Sequence, residues 1–473
     1  MKISYWNNPK DIMPEYLKAL NQSGCIYEGN SYSGLLSPSS VIISRSQAEK
    51  IRRDIEEIFQ WARTSQIIYE DLYKSRSSLV TSFEFGLNKM DIYFQRLSAQ
   101  NQYIPTIGRI DAITLKQNVA EIQWKGGGEG FMTAIDLACK TMHPLSVNET
   151  SLADFITNWM MAFSNGTKKN NIYVLNTGRG NWQKGEKLLT DKLKEKGVFL
   201  FFSQTSDIEG KIIISNDNVY FRTENGMKKL DFIYLDRLSE VLSPEKLYQI
   251  FKCVAEGNVH IDPPLSYLWN QKITMALPFL EEFKDRFSMQ IRDILIPTAL
   301  IINGQELDLA PFIDKMNQNN AEILLKIKTL DQLLELPRNL REDLVVKCAS
   351  ANKYYCYGGH GVYRLWGSTK GQAQKIINFI RERVAKGEPW IIQPYINQTW
   401  EIPFVHPDNL QEIYRLKAHA RFGIYCSQNE QKSKLIGGIA TFSPFWKVAG
   451  KTAGRDGKGQ LIGSAFTDIR IEN

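Results

Sequence analysis

In the stretch GRIDAITLKQNVAEIQWKGGGEGF, residues 108–131, an arginine, two carboxylates, a glutamine and a glycine cluster fall on what read as two short strands. Successive side chains alternate across a strand, so Arg109 and Asp111 project together, as do Glu121 and Gln123. If the strands pair, all four converge. Two carboxylates and an amide oxygen suit a hard cation such as Mg²⁺, and a guanidinium beside them is a fork for an anion. The same residues also describe a solvated hairpin face with an ordinary ion pair, and at this level both readings stay open.

GGGEG at 126–130 lacks the spacing of a dinucleotide fingerprint and shows no capped helix start; it reads as a loop passing close to a ligand. GRGNWQKGEK at 178–187 follows a strand and opens a helix, yet it matches neither phosphate-binding glycine pattern. The strand DLVVK ends in Lys347, and the loop behind it carries Gly358, Gly359 and Gly361. A strand-end lysine is a point charge for phosphate, and glycines let backbone N–H groups approach phosphate oxygens. WIIQPYIN reads as a strand ending at a proline, whose missing donor could leave unpaired groups for the edge of a purine. His260, His360 and His419 are not at metal-ligand spacing, and neither GxSxG nor a Cys/His pairing argues for a nucleophile.

The elements that must hold these residues differ along the chain. Residues 41–76 carry apolar residues at helical spacing, with Ser44 or Ser46 as a cap. The strand pair follows, then helical patterns over 133–164. From 171 the pattern becomes NIYVLN strand, helix, VFLFFS strand, a KIIIS/VYFRT hairpin and LDFIYL strand, which is a βαβ unit in a small α/β domain. Residues 244–256 are helical, and HIDPPLSYLWNQK is a turn-rich lead into another helix. Residues 283–340 read as mostly helical, broken at Pro297, Gly304, Pro311 and Pro337. A helix over 370–386 and the strand-like runs YRLKAHARFGIYC, SKLIGGIATF and GQLIGSAFTDIRI make the last third an antiparallel α+β module.

At 473 residues the chain exceeds what one core usually organises, which predicts several subdomains. The net charge of +7 is spread over 58 basic and 51 acidic residues, too diffuse for a nucleic-acid footprint. Six scattered cysteines without a CxxC pair read as reduced thiols rather than a disulfide framework or zinc site. No apolar leader opens the chain and no run reaches the ~18 uncharged apolar residues of a membrane span, so the expectation is a cytoplasmic protein with no membrane partner.

The order of these pieces is informative. RxD on one strand and ExQ on the next, then an α/β domain, then PPLSYLWNQKI, a strand-end lysine, a glycine loop and a strand entering a hinge resemble the ATP-grasp amide ligases of the glutathionylspermidine synthase and eukaryotic glutathione synthetase type. The resemblance covers roughly residues 30–473. It implies a multi-subdomain α/β and α+β chain: a helical N-terminal region (1–100), a metal/substrate strand pair with helices (101–165), a central α/β domain of the pre-ATP-grasp type (166–260), and an ATP-grasp nucleotide-binding region (261–473) with a helical insertion at 283–340.

For the site, the resemblance implies Asp111, Glu121 and Gln123 as Mg²⁺ ligands, Gln standing where the family has Asn, and Arg109 as the catalytic anion clamp. It implies Lys272, Lys347, Gly358, Gly359 and Gly361 on ATP phosphates and Gln393, Pro394 and Tyr395 as the adenine hinge. GGIATFSPFWKVAGKTAGRDG resembles a second flexible loop, in which Lys447, Lys451 or Arg455 contacts phosphate or substrate. The implied cofactors are ATP and Mg²⁺, and the implied partners are a small acid and an amine joined through an acyl phosphate; family members are commonly dimers. No amidase half with a catalytic cysteine precedes this region, so hydrolysis is not expected. The alternatives are phosphorylation of an enol or hydroxyl before amine addition, as in mycosporine-glycine synthase, a nucleotide-binding regulator without turnover, and a dinucleotide oxidoreductase.

Overall fold

The structure is a computed structural model of the whole chain. It describes all residues except 23–31, 115–118, 125–128, 153–170, 178–182, 203–206, 236–240, 263, 314–320, 352–360, 366–369, 430–431, 446–452 and 457–459.

The N-terminal region is not only helical. Strand β1 (Lys2–Tyr5) and helix α1 (Pro9–Gln22) precede β2 (Ser39–Ser44), so the apolar run VIIS forms a strand instead of a helical turn. The reason is its β-branched content and its place between two neighbours: it pairs antiparallel with β1 and parallel with the C-terminal strand of the chain. Ser44 ends β2 and caps helix α2 (Arg45–Lys74) by accepting from Gln47 N at 3.3 Å, while Gln47 Oε1 accepts from Ser44 N at 3.0 Å. Ile51, Ile55, Ile58, Phe59, Ala62 and Tyr69 then recur at helical spacing on the buried face. Helices α3 (Val80–Phe83) and α4 (Lys89–Gln100) complete this region.

Next come β3 (Ile107–Ala112) and β4 (Val119–Trp124), the expected strand pair, and helix α5 (Glu129–Met142). A helix therefore does open inside GGGEG, against the sequence expectation. Helix α5 covers the first part of the helical pattern expected over 133–164, β5 (Glu149–Ser151) follows, and 153–164 lie outside the described residues.

The central α/β region has the predicted order. Strands β6 (Ile172–Thr177) and β7 (Val198–Phe202) flank the helix Gln183–Lys194; β8 (Ile212–Ser215), β9 (Asn218–Thr223) and β10 (Gly226–Lys229) make an antiparallel three-stranded sheet; β11 (Phe232–Leu235), the helix Pro244–Ala255 and β12 (His260–Asp262) follow. The parallel sheet runs β12-β11-β6-β7.

Instead of the helix expected behind PPLSYLWNQK, short 3₁₀ turns cover Tyr267–Asn270, Lys272–Met275 and Leu277–Phe279. Among its described residues the stretch 283–340 holds short α-helices, Met289–Ile294, Ala321–Leu325 and Arg338–Glu342, and a strand, β13 (Ala299–Ile301). Pro297, Gly304 and Pro311 space the breaks in the first part of the stretch too closely for longer helices, while 314–320 lie outside the described residues. Strands β14 (Leu344–Cys348), β15 (Val362–Arg364) and β16 (Trp390–Pro394), with the helix Lys370–Ala385 between the last two, form an antiparallel sheet in the order β13-β16-β14-β15.

The chain closes with β17 (Thr399–His406), which the sequence reading overlooked, the long strands β18 (Asn409–Asn429) and β19 (Lys432–Ser443), the small pair β20 (Gly454–Arg455) and β21 (Leu461–Ile462), and β22 (Ala465–Glu472). The dominant sheet runs β1-β2-β22-β19-β18-β3-β4, with β17 on β18 and β5 on β22. Its strands alternate sharply. Ile110, Ile122, Phe422, Ile424, Ala440 and Phe442 enter the core that α2 covers, while Tyr425, Ile439 and Phe466 enter a second core with residues of α1 and α5. Burying each such side chain contributes ~1.5–3 kcal/mol. Both ends of the polypeptide are thus built into the sheet that carries Arg109 and Asp111.

Candidate functional site

Strands β3 and β4 pair in the register Arg109 opposite Gln123 and Asp111 opposite Glu121. β3 also pairs with β18, so that Tyr425 lies opposite Arg109 and Gly423 opposite Asp111. Four positions expected to converge therefore do share one patch of backbone. Gln123 is placed only by this register; its side chain lies outside the described residues.

Arg109 closes a two-pronged pair on Asp111, Nε donating to Oδ1 at 2.8 Å and Nη2 to Oδ2 at 3.0 Å. Its stem crosses Gly423, where an added Cβ would stand 3.4 Å from Arg109 Cδ. Burial works against the Arg109 cation, but the Asp111 carboxylate and then Tyr425 outweigh it and raise its pKa. Burial likewise pushes the Asp111 carboxyl up, and Arg109, then Arg421 and Lys347, bring it below the usual range. Both groups are ionised. Arg421 was missing from the sequence-derived set; its Nη1 lies 3.8 Å from Asp111 Oδ2. The signal available for it was the alternation Arg421, Gly423, Tyr425 in ARFGIYC, which puts all three on one strand face.

Two lysines arrive from the second half of the chain. The 3₁₀ turn at Lys272 directs Nζ to Glu121 Oε1 at 3.1 Å, and the lysine is nearly sealed from solvent. On β14, Leu344, Val346 and Cys348 point into one core with the helix Lys370–Ala385, which leaves Lys347 on the opposite face beside its partner Ile391. There it feels Glu121, Lys272 and Asp111, and burial lowers its pKa to about 8. Burial raises the Glu121 carboxyl, and Lys272 and Lys347 more than reverse this, so its pKa is lowered. Two ionised carboxylates thus face four basic side chains, Arg109, Arg421, Lys272 and Lys347. The excess of positive charge suits an anion.

The donor set can be tested against Mg²⁺, which takes one or two carboxylates, several waters and substrate phosphates. Among the described residues no group of three or more His, Cys, Asp and Glu side chains could hold a metal. Both Asp111 oxygens are engaged by Arg109. Glu121 faces Lys272 through Oε1 on a side chain that keeps 23% exposure. The residues fit a cation held by phosphate and by Glu121, with Asp111 placed as the anchor of Arg109.

Gln393, Pro394 and Tyr395, the expected hinge positions, lie at and just past the end of β16. Gln393 is buried and donates through Nε2 to Thr298 Oγ1 at 2.8 Å, and Pro394 stands opposite Leu344 in the sheet. Tyr395 N–H donates to Asp343 O at 2.7 Å, so the proline does not leave that donor open. The Arg364 guanidinium stacks 3.7 Å from the Tyr395 ring centre, and Tyr395 Oη reaches the His419 ring at 3.3 Å. Gly361 accepts from Cys348 N–H at 2.8 Å; Gly358 and Gly359 lie outside the described residues, as do Lys447 and Lys451. Arg455 donates to Tyr414 Oη at 2.6 Å on an exposed face. Cys139, Cys253, Cys348 and Cys426 are free and buried, and no helix among the described residues is long and apolar enough to cross a membrane.

No known family profile matches this sequence, and no curated relative matches it either. A solved structure does. The chain superposes on a glutathione synthetase-like effector from Globodera pallida, determined in its apo form, with a TM-score of 0.58 over 98% of this chain and 97% of that one, at 11% identity. The fold is glutathione synthetase-like. That likeness extends end to end, and it is a likeness of backbone, since at such identity few side chains are shared.

Proposed function

We propose that the protein is an ATP-dependent ligase joining a small acid to an amine. The observation that carries this reading is the meeting of Lys272 and Lys347, from the second half of the chain, with Glu121 and Asp111, from the first, inside a glutathione synthetase-like fold. In the proposed reaction the lysines neutralise the terminal phosphates of ATP while the γ-phosphoryl group passes to a carboxylate oxygen of the acid and ADP leaves. The amine nitrogen then attacks the carbonyl carbon and phosphate departs. Arg109, preset by Asp111, orients the acid and stabilises its developing negative charge. Mg²⁺, held by phosphate oxygens and Glu121, would supply further charge neutralisation. Seclusion of the lysines from solvent supports protection of an acyl phosphate from water.

A second reading has its own support. Asp111 and Glu121 are both charge-compensated by protein cations, as in a site that binds a nucleotide or other anion without turnover. ADP release with pooled amino acids, polyamines and small acids separates the readings. Amine-dependent ADP supports the ligase, ADP formed without amine indicates phosphorylation of the acceptor alone, and ATP binding with no ADP indicates a regulator. Absence of ATP binding would sink all three.

A further inference from the structure

The four cations of the site are sorted by type. The lysines gather at Glu121, which feels Lys272 and Lys347, whereas the arginines gather at Asp111, which feels Arg109 and Arg421 first. A lysine is a compact charge that serves phosphate, while a guanidinium is a planar fork that matches a carboxylate or other flat or tetrahedral anion through paired N–H bonds. Arg109 spends Nε and Nη2 on Asp111 and is buried. Arg421 differs. At 3.8 Å its contact with Asp111 is too long for a hydrogen bond, its side chain keeps 27% exposure, and among the described residues no hydrogen bond engages its guanidinium.

The strand geometry explains why this arginine stays unspent. Arg421 and Gly423 lie on one face of β18, and Arg109 leans across Gly423 to take both oxygens of Asp111. Arg421 is left at the outer edge of the pair, held near it by charge alone.

We infer that Arg421 is a specificity residue whose fork receives a second anionic group on the acid substrate, so that the acceptor is a dianionic acid: a dicarboxylate or a phosphorylated carboxylic acid. This rests on the ligase reading for the role of the acid, but not for its binding. One anionic group sits at Arg109 facing the lysine side, where phosphoryl transfer is proposed, and the other engages Arg421.

The test is direct binding, by calorimetry on the full chain without nucleotide, of succinate, glutarate and 3-phosphoglycerate, each with two anionic groups, with butyrate as the single-group control. The expected result is that at least one dianion binds wild type more tightly than butyrate. Arg421→Gln should weaken that dianion about 10- to 100-fold, the size of a lost charge-assisted fork, and leave butyrate unchanged. Arg421→Lys should restore only part, because a point charge replaces the fork. Thermal melts check that the variants fold. Equal binding of the whole panel to wild type, or equal weakening of butyrate and dianion in Arg421→Gln, would overturn the inference. Tripolyphosphate, titrated in parallel, probes the lysine side: its failure to bind would count against the ATP reading while a dianion that depends on Arg421 would still stand.

Discussion

Lys272 Nζ lies 3.1 Å from Glu121 Oε1, an ion pair between residues in separate halves of the chain and almost closed to water. It ties the 3₁₀ turn behind the α/β region to strand β4. Removing either partner should therefore register as stability. Lys272→Met strands a desolvated carboxylate and is expected to cost ~3 kcal/mol, the low end for a buried pair because Glu121 remains partly exposed. In a double-mutant cycle with Glu121→Gln, urea unfolding should give a coupling energy of ~1–3 kcal/mol. Strictly additive losses would mean that the two groups do not depend on each other.

Lys347 makes a prediction about pH. Its pKa falls from 10.5 to about 8 in the folded protein, chiefly through burial. Between those values the unfolded chain binds more protons, so this lysine's contribution to stability rises with pH from about 8 to 10.5, and below 8 its full penalty is present. Relative to Lys347→Met, wild type should gain stability by up to ~1.4 kcal/mol per pH unit across that window. Tripolyphosphate affinity should move oppositely, weakening as pH rises through about 8 in wild type and not in Lys347→Arg. A stability difference that stays flat from pH 7.5 to 10 would contradict the assignment.

Two glycines of the main sheet should respond differently to alanine. At Gly438 the new Cβ would stand 2.3 Å from Leu152 Cδ2 and 3.2 Å from the Cδ1 atoms of Ile424 and Ile469, all buried. Overpacking there should cost ~1–3 kcal/mol. At Gly423 the nearest atom is Arg109 Cδ at 3.4 Å, an ordinary contact, and the Gly423→Ala loss should stay under ~1 kcal/mol by comparison. Equal melting temperatures for the two variants would refute the distinction.

Arg470, wholly buried on β22, donates from Nε to Asp468 Oδ2 at 2.7 Å, from Nη1 to Glu149 Oε2 at 3.1 Å and to Pro144 O at 3.3 Å, and from Nη2 to His143 O. Arg470→Met leaves Asp468 buried without its cation, which should destabilise by ~3–5 kcal/mol. Adding Asp468→Leu should recover part of that loss in chemical denaturation. No recovery would show that the backbone carbonyls, not the carboxylate, are what the arginine serves.

Much of this architecture was legible in local pattern. Period-two alternation in GRIDA and VAEIQW put Arg109 with Asp111 and Glu121 with Gln123, and the register of β3 on β4 joined the two sets. The βαβ order of 171–202 and the strand placing Lys347 were likewise readable, because side-chain period and turn residues are properties of a few consecutive residues. The VIIS run was misread because its strand character depends on neighbours at the two ends of the chain, β1 and β22.

The sequence by itself determined which residues share a strand face and which lysines and carboxylates were candidates for one site. Only the tertiary structure decided their partners: that Asp111 is spent on Arg109, that Lys272 meets Glu121, that Arg421 stands beside them, and that Tyr395 N–H is closed by Asp343. The physical reason is range. Alternation is fixed by covalent geometry within a few residues, whereas these pairings depend on the register of strands and turns hundreds of residues apart, which is set by the packing of the cores as a whole.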